Sequence, residues 1–185
     1  MRNTEGTVAQ EYRTLSVLVD NNAGVLARIS GLFSRRGFNI TSLAVGETQD
    51  AAVSRMTIIV RCDRRALDQV VTQLAKQECV RRVEVLDENR AIRRELLLVK
   101  VSTTTENRTQ VIEIANIFRA SVIDVAPGSL TLELTGDADK AAAMLEMMSE
   151  FGVLEVVRTG TVAIERGTGT IYSRDSGTGV GAYDE

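Results

Sequence analysis

The residues best suited to chemistry lie together in Asp20–Leu26 (DNNAGVL), with Asn39 a short way downstream. An apolar periodicity starts at Val25, so this segment leads into a helix. The first N–H groups of a helix lack intrahelical partners and carry the positive end of its dipole. A carboxylate suits that spot. Gly24 removes the Cβ that would keep a ligand off the backbone. Asn21 and Asn22 carry amides that both donate and accept, as the ammonium and carboxylate of an amino acid require. The same residues also fit a plainer purpose, in which Asn22 caps the helix and Gly24 tolerates a turn. Asn39 opens the next strand and is expected near the same edge.

Other chemistry is largely excluded. Histidine is absent, which removes Ser-His-Asp and Cys-His catalysis and every histidine metal site. Cys62 and Cys79 are too far apart for a CxxC motif, and nothing indicates the oxidising compartment that a disulfide between them would need. Asp20, Glu47, Asp63 and Glu84 form no acid–base motif. Met144, Met147 and Met148 sit at helical spacing and read as core or partner surface. The net charge of -3 and only 4% aromatic residues speak against nucleic-acid binding. The arginine pairs at 35–36, 64–65, 81–82 and 93–94 read as solvated element ends and salt bridges. RRGFN resembles the start of an RNA-recognition signature but falls at a helix-to-strand junction with one Phe. No apolar run approaches a membrane span, and the first ten residues lack a signal-peptide core. A soluble cytoplasmic protein is expected.

The elements that position the loop follow from periodicity. Leu15, Val17 and Val19 alternate as a strand. Val25, Ile29, Leu32 and Phe33 mark a helix with one apolar face, and Gly37 suits its C′ position. A strand over Phe38–Val45, a turn over Gly46–Ala52 and a strand through Met56, Ile58 and Val60 follow. Asp63 can cap a helix faced by Leu67, Val70, Val71 and Leu74, and Val80–Leu86 closes the unit. The order is βαββαβ, the ferredoxin-like split unit.

The same order repeats about 80 residues on, through Leu96–Val101, a helix at Val111–Phe118, Val122–Val125, Leu130–Leu134, a helix at Ala141–Met148, and Val153–Ile164 broken at Gly160. ISGLFSRRGFNI matches IANIFRASVIDV, with Phe33 aligned to Phe118. The fold class is therefore α/β (α+β), two ferredoxin-like sandwiches in tandem. The divisions are 12–87, a charged linker 88–95, 96–166, and flexible tails at 1–11 and 167–185. Deleting the second tail is expected to leave folding and ligand binding intact. On the first sheet's outer face, Leu18, Ile59 and Leu86 are too apolar to leave wet, so an oligomer or inter-domain contact should cover them.

LSVLVDNNAGVLARISGLFSRRGFNITSL followed by SRMTIIV resembles an ACT domain, the ferredoxin-like module that senses amino acids. With RELLLVKV, IFRASVIDVAPGSLTLELTG and GVLEVVRTGTVAIERG, the chain resembles small regulatory subunits of acetohydroxyacid synthase (acetolactate synthase) over about Tyr12–Gly167. The resemblance implies a chain with no catalytic residues and no cofactor of its own. It would activate a catalytic large subunit carrying thiamine diphosphate, Mg²⁺ and FAD, and confer feedback inhibition by valine in branched-chain amino-acid biosynthesis. It also implies a homodimer through ACT domains. The effector then lies between Asn21, Gly24, Val25 and Leu26 of one copy, with Asn22 and Ala23, and Asn39 and Ile40 of its neighbour. A free-standing ACT-type sensor, regulating another enzyme or transcription, is the alternative. Neither terminal segment resembles the DNA-binding element that transcriptional control would need.

Overall fold

The computed structural model describes residues 10–173. They form two compact units, one made of the chain up to Ile92 with the segment from Ala163 on, the other of Arg93–Val162. Of the flexible tails expected at 1–11 and 167–185, residues 1–9 and 174–185 lie outside the described residues, while Glu11 belongs to a strand and Ile171 is buried, so the chain is packed further at both ends than expected.

The first unit contains β1 (Glu11–Asp20), α1 (Val25–Arg35), β2 (Ile40–Glu47), β3 (Val53–Cys62), α2 (Arg64–Ala75) and β4 (Val80–Leu86). Its sheet order is β2-β3-β1-β4, with each neighbouring pair antiparallel. Leu15, Val17 and Val19 meet Val25, Ile29, Leu32 and Phe33 of α1 and Leu67, Val70 and Leu74 of α2 in one core. Phe33 is 1% exposed, so truncating it to alanine should cost about 3–5 kcal/mol.

The second unit repeats the order with β5 (Ala91–Ser102), α3 (Arg108–Ile117), β6 (Ser121–Ala126), β7 (Ser129–Gly136), α4 (Ala138–Ser149) and β8 (Val153–Arg158). Its sheet runs β6-β7-β5-β8, and a short β9 (Val162–Glu165) pairs with β5. The connector expected over 88–95 is mostly strand. Ala91 is buried and packs with Leu86 and Ala163, which explains why β5 starts that early.

The repeat extends to the caps. Asp63 accepts from the Ala66 N–H at 2.8 Å, and Asp137 accepts from the Lys140 N–H at 2.9 Å. At the end of α1, the Gly37 N–H donates to Ser34 O and the Phe38 N–H to Phe33 O. This is a Schellman closure with Gly37 at φ 72°. α3 ends the same way, from Arg119 N–H to Asn116 O and Ala120 N–H to Ala115 O, but with Arg119 at φ 54° in the glycine position. The two closures put Phe33 in register with Ala115. The sequence match of Phe33 to Phe118 is therefore three residues out, because it follows the phenylalanines and α3 stops a turn earlier relative to them.

The outer face of the first sheet also differs from expectation. Leu18 packs with Val53 and Ile171, and Leu86 with Ala91 and Ala163. At these points the chain's own segment after Ala163 supplies the cover. Cys62 and Cys79 are both buried free thiols.

Candidate functional site

The loop between β1 and α1 is held at its base by the hairpin that joins β2 to β3. The Asn21 N–H donates to Ala52 O at 2.8 Å. The Asn21 Nδ2 donates to Ala51 O at 2.9 Å and to Glu47 Oε1 at 3.1 Å, while Ser54 Oγ donates to Asn21 Oδ1 at 3.0 Å. One step back, the Asp20 N–H donates to Cys79 O, and Arg81 Nε donates to Asp20 Oδ1 at 2.7 Å. The Asn21 carboxamide is thus already engaged within the chain. Its geometry is that of an anchor for the loop.

The helix start itself is open. Gly24 is the N-cap residue at φ 84°, and α1 has no side-chain cap and no acid in its first turn. Asn22 therefore does not cap the helix. Its carbonyl accepts from the Val25 N–H at 3.3 Å, and Gly24 O accepts from the Arg28 N–H at 3.0 Å. Among the described residues nothing accepts from the N–H groups of Leu26 and Ala27. A Cβ at Gly24 would meet nothing within 4 Å, so crowding is not what demands a glycine. The glycine is required by its left-handed backbone, which L-residues adopt at a cost of about 1–2 kcal/mol.

The second unit handles the corresponding loop differently. Asn107 Oδ1 accepts from the Thr104 N–H at 2.7 Å, and Thr104 Oγ1 accepts from the N–H groups of Glu106 and Asn107, each at 3.3 Å. Arg108 Nη2 then donates to Ala126 O and Pro127 O. That loop ties its side chains to its own backbone, although the Thr109 and Gln110 N–H groups at the start of α3 likewise meet no acceptor among the described residues.

Asn21, Asn22, Ala23, Gly24 and Leu26 are brought together and exposed, with Leu26 47% exposed. Val25 is in place but its side chain belongs to the core. Asn39 and Ile40 are not at this edge. β2 begins with Ile40 opposite Val60 and ends with Glu47 opposite Ser54, while Asp20 lies opposite Val53. The seven steps along β3 between those pairs amount to roughly 23 Å. The expectation that Asn39 shares the loop's edge fails within one chain, because α1 carries the chain to the far end of the sheet before β2 starts.

Three parts of this arrangement were not singled out from sequence. Glu47 and Ser54 reach Asn21 only through strand register, although both lie at hairpin positions facing the β1 terminus. Arg81 matches the salt-bridge reading of its pair, and its partners are Asp20, which it fastens, and Asp50, which it approaches at 3.9 Å. On the outer face, Arg55 Nη2 donates to Ala163 O at 3.0 Å. Burial pulls the Arg55 pKa below its ordinary value, and nearby Tyr172 and Glu84 partly offset this. Among the described residues there is no cluster of three or more His, Cys, Asp or Glu that could hold a metal, and no helix long and apolar enough to cross a membrane.

Comparison with known proteins matches residues 15–82 to the ACT domain of acetohydroxyacid synthase small-subunit-like proteins. Residues 94–167 match the small subunit of acetolactate synthase. The chain is 49% identical over 160 residues to the acetolactate synthase small subunit of Mycobacterium bovis, covering 86% of this chain and 95% of that one. It is 45% identical to the probable acetolactate synthase small subunit of Methanothermobacter thermautotrophicus, covering 85% and 94%. The crystal structure of the Thermotoga maritima acetolactate synthase small subunit superposes with a TM-score of 0.81 at 34% identity, covering 85% of this chain and 99% of that one. With its tandem βαββαβ units and the open β1–α1 loop in the first of them, the chain belongs to the acetolactate synthase small-subunit family.

Proposed function

We propose that this chain activates the catalytic large subunit of acetolactate synthase in the cytoplasm and makes it sensitive to valine. The thiamine diphosphate, Mg²⁺ and FAD of the reaction belong to that large subunit. The observation that carries the valine reading is the open start of α1, where the N–H groups of Leu26 and Ala27 meet no acceptor among the described residues and the first turn holds no acid. A carboxylate there gains roughly 0.3–2 kcal/mol from the dipole in addition to its hydrogen bonds. Gly24 lets it approach, Asn22 lies beside it, and Leu26 offers apolar surface to a branched side chain. Asn21 holds the loop.

The rest of the site comes from a second copy. β2 is an edge strand with Val45 45% exposed, so its outer backbone groups can pair with a symmetry-related β2. Antiparallel pairing about a two-fold axis brings the start of one β2 beside the end of the other. Asn39 and Ile40 of the neighbour then stand at the loop that its own copy keeps far from them. Regulation follows from linkage. Valine favours one arrangement of the paired domains, and that arrangement activates the catalytic subunit less. The effect is bounded by the difference in valine affinity between the two arrangements, typically about 1–3 kcal/mol.

Isothermal titration of the purified chain with valine, leucine and isoleucine tests the binding. Reconstitution with the large subunit tests activation and inhibition. Saturable valine binding with valine-sensitive activation is expected, and a chain that activates without binding any of the three would contradict the proposal.

A further inference from the structure

The family match ends at residue 167, yet the chain continues in an ordered path to Ser173. Ile171 in this stretch is 3% exposed. Its partners are Leu18 and Val53, each 4% exposed, on the face of the first sheet opposite the helices. These two residues have a particular place. Val53 pairs with Asp20 at the last rung of the β1–β3 ladder, and Leu18 stands two residues before Asp20. Ile171 thus plugs the sheet directly beneath the point where the β1–α1 loop leaves it. The residue before Val53, Ala52, receives the Asn21 N–H, and the residue after it, Ser54, bonds the Asn21 side chain.

The segment is built for this position. Thr170 and Ser173 lock a turn reciprocally, with the Thr170 N–H donating to Ser173 Oγ and the Ser173 N–H reaching Thr170 Oγ1, both at 3.0 Å. Upstream, the Arg166 N–H donates to Arg90 O at 2.8 Å, and Arg55 holds Ala163 O. Glu47, which accepts from Asn21, also lines a cleft of about 390 Å³ together with Thr170, Ile171 and Tyr172. The loop and the C-terminal segment therefore share two structural supports, the Leu18–Val53 step and Glu47.

We infer that Ile171 is a positioning residue for the effector loop. By filling the outer face under Leu18 and Val53, it fixes the strand ends from which Asn21 and Gly24 project. A loop held in the binding conformation loses less freedom when the ligand docks. The inference rests on the β1–α1 loop being the effector site.

The test compares the full chain with a chain ending at Gly167, with Ile171→Ser, and with the volume-conserving Ile171→Leu. Valine affinity is read by titration, and amide exchange is read at Asn21, whose N–H is bonded to Ala52 O. The truncation and Ile171→Ser should weaken valine binding about tenfold, within the usual range of coupling between sites. They should also raise exchange at Asn21, while Ile171→Leu restores both. A lower melting temperature with unchanged affinity and unchanged exchange at Asn21 would overturn the inference and leave Ile171 as ordinary packing. If the full chain binds no branched-chain amino acid, the effector reading fails by itself. The exchange at Asn21 then still decides whether Ile171 positions the loop.

Discussion

Asp20 and Ile40 sit at opposite ends of the same stretch of β3: Asp20 faces Val53 at its start, and Ile40 faces Val60 near its end. One chain supplies the open donors of α1 at one end of the sheet and Asn39–Ile40 at the other. A ligand that touches both must therefore sit between two chains.

Gly24 gives the first prediction. Its φ of 84° means that any side chain there strains the backbone, so Gly24→Ala and Gly24→Asp should each lose about 1 kcal/mol of stability. An acid at a helix N-terminus is favoured by the dipole, and the left-handed backbone offsets that gain. Ligand binding separates the two variants. An aspartate about 4 Å from the effector carboxylate, at an effective dielectric near 20, repels it by up to about 4 kcal/mol. That corresponds to a loss approaching about a thousandfold. Titration should show a much larger loss for Asp than for Ala, and equal losses would mean that no carboxylate binds here.

Ser54 and Asn21 should be coupled. Ser54→Ala removes one hydrogen bond and should cost about 1 kcal/mol. Asn21→Ala should cost more, about 1–3 kcal/mol, since Ser54 is 6% exposed and its hydroxyl would be left unpaired. Urea midpoints of the two single variants and the double variant would give a coupling energy above about 0.5 kcal/mol if the pair acts as a unit. Additive losses would show that the bond contributes nothing to holding the loop.

Arg119 occupies in α3 the place that Gly37 fills in α1, with its backbone left-handed at φ 54°. Arg119→Gly should stabilise the second unit by about 0.5–1 kcal/mol, and Gly37→Ala should destabilise the first by about 1 kcal/mol. Thermal melts of both variants check the signs. A destabilising Arg119→Gly would mean that the Arg119 side chain contributes more than its backbone conformation costs.

The Cys62 thiol should react slowly. Burial pushes its pKa up, Asp63 pushes it further, and Arg13 offsets part of the shift. A raised thiol pKa leaves less thiolate at any given pH, and the thiolate is the nucleophile. At pH 8 an aromatic disulfide reagent should modify Cys62 far more slowly in the native chain than in denaturant. Equal rates would show that the strand end around Cys62 opens freely.

Much of this molecule was legible in its residues. Alternation at Leu15, Val17 and Val19 and the spacing of Val25, Ile29, Leu32 and Phe33 revealed the strand and helix of the first unit, because each pattern matches one period. Asp63 announced its cap. Ile171 was hidden because a single apolar residue in a polar, glycine-rich stretch has no period to betray it. Its burial depends on Leu18 and Val53, which are distant in sequence. Asn39 was misplaced for a different reason. Closeness in sequence after a helix does not mean closeness in space, because the 11 residues of α1 span about 16 Å. The Asn21 anchor depends on strand register, which no local pattern encodes.

The most direct test of a site shared between copies is complementation between two defective chains. Gly24→Asp should destroy the loop half of the site, and Asn39→Ala the strand half. Mixed dimers of the two variants carry one doubly defective site and one in which Gly24 and Asn39 are both intact. Random exchange of equal amounts should thus recover about a quarter of the wild-type valine sites, although neither variant binds valine alone. Recovery of that fraction in a titration is the predicted result. No recovery, despite mass-spectrometric proof of mixed dimers, would contradict a site built from two chains.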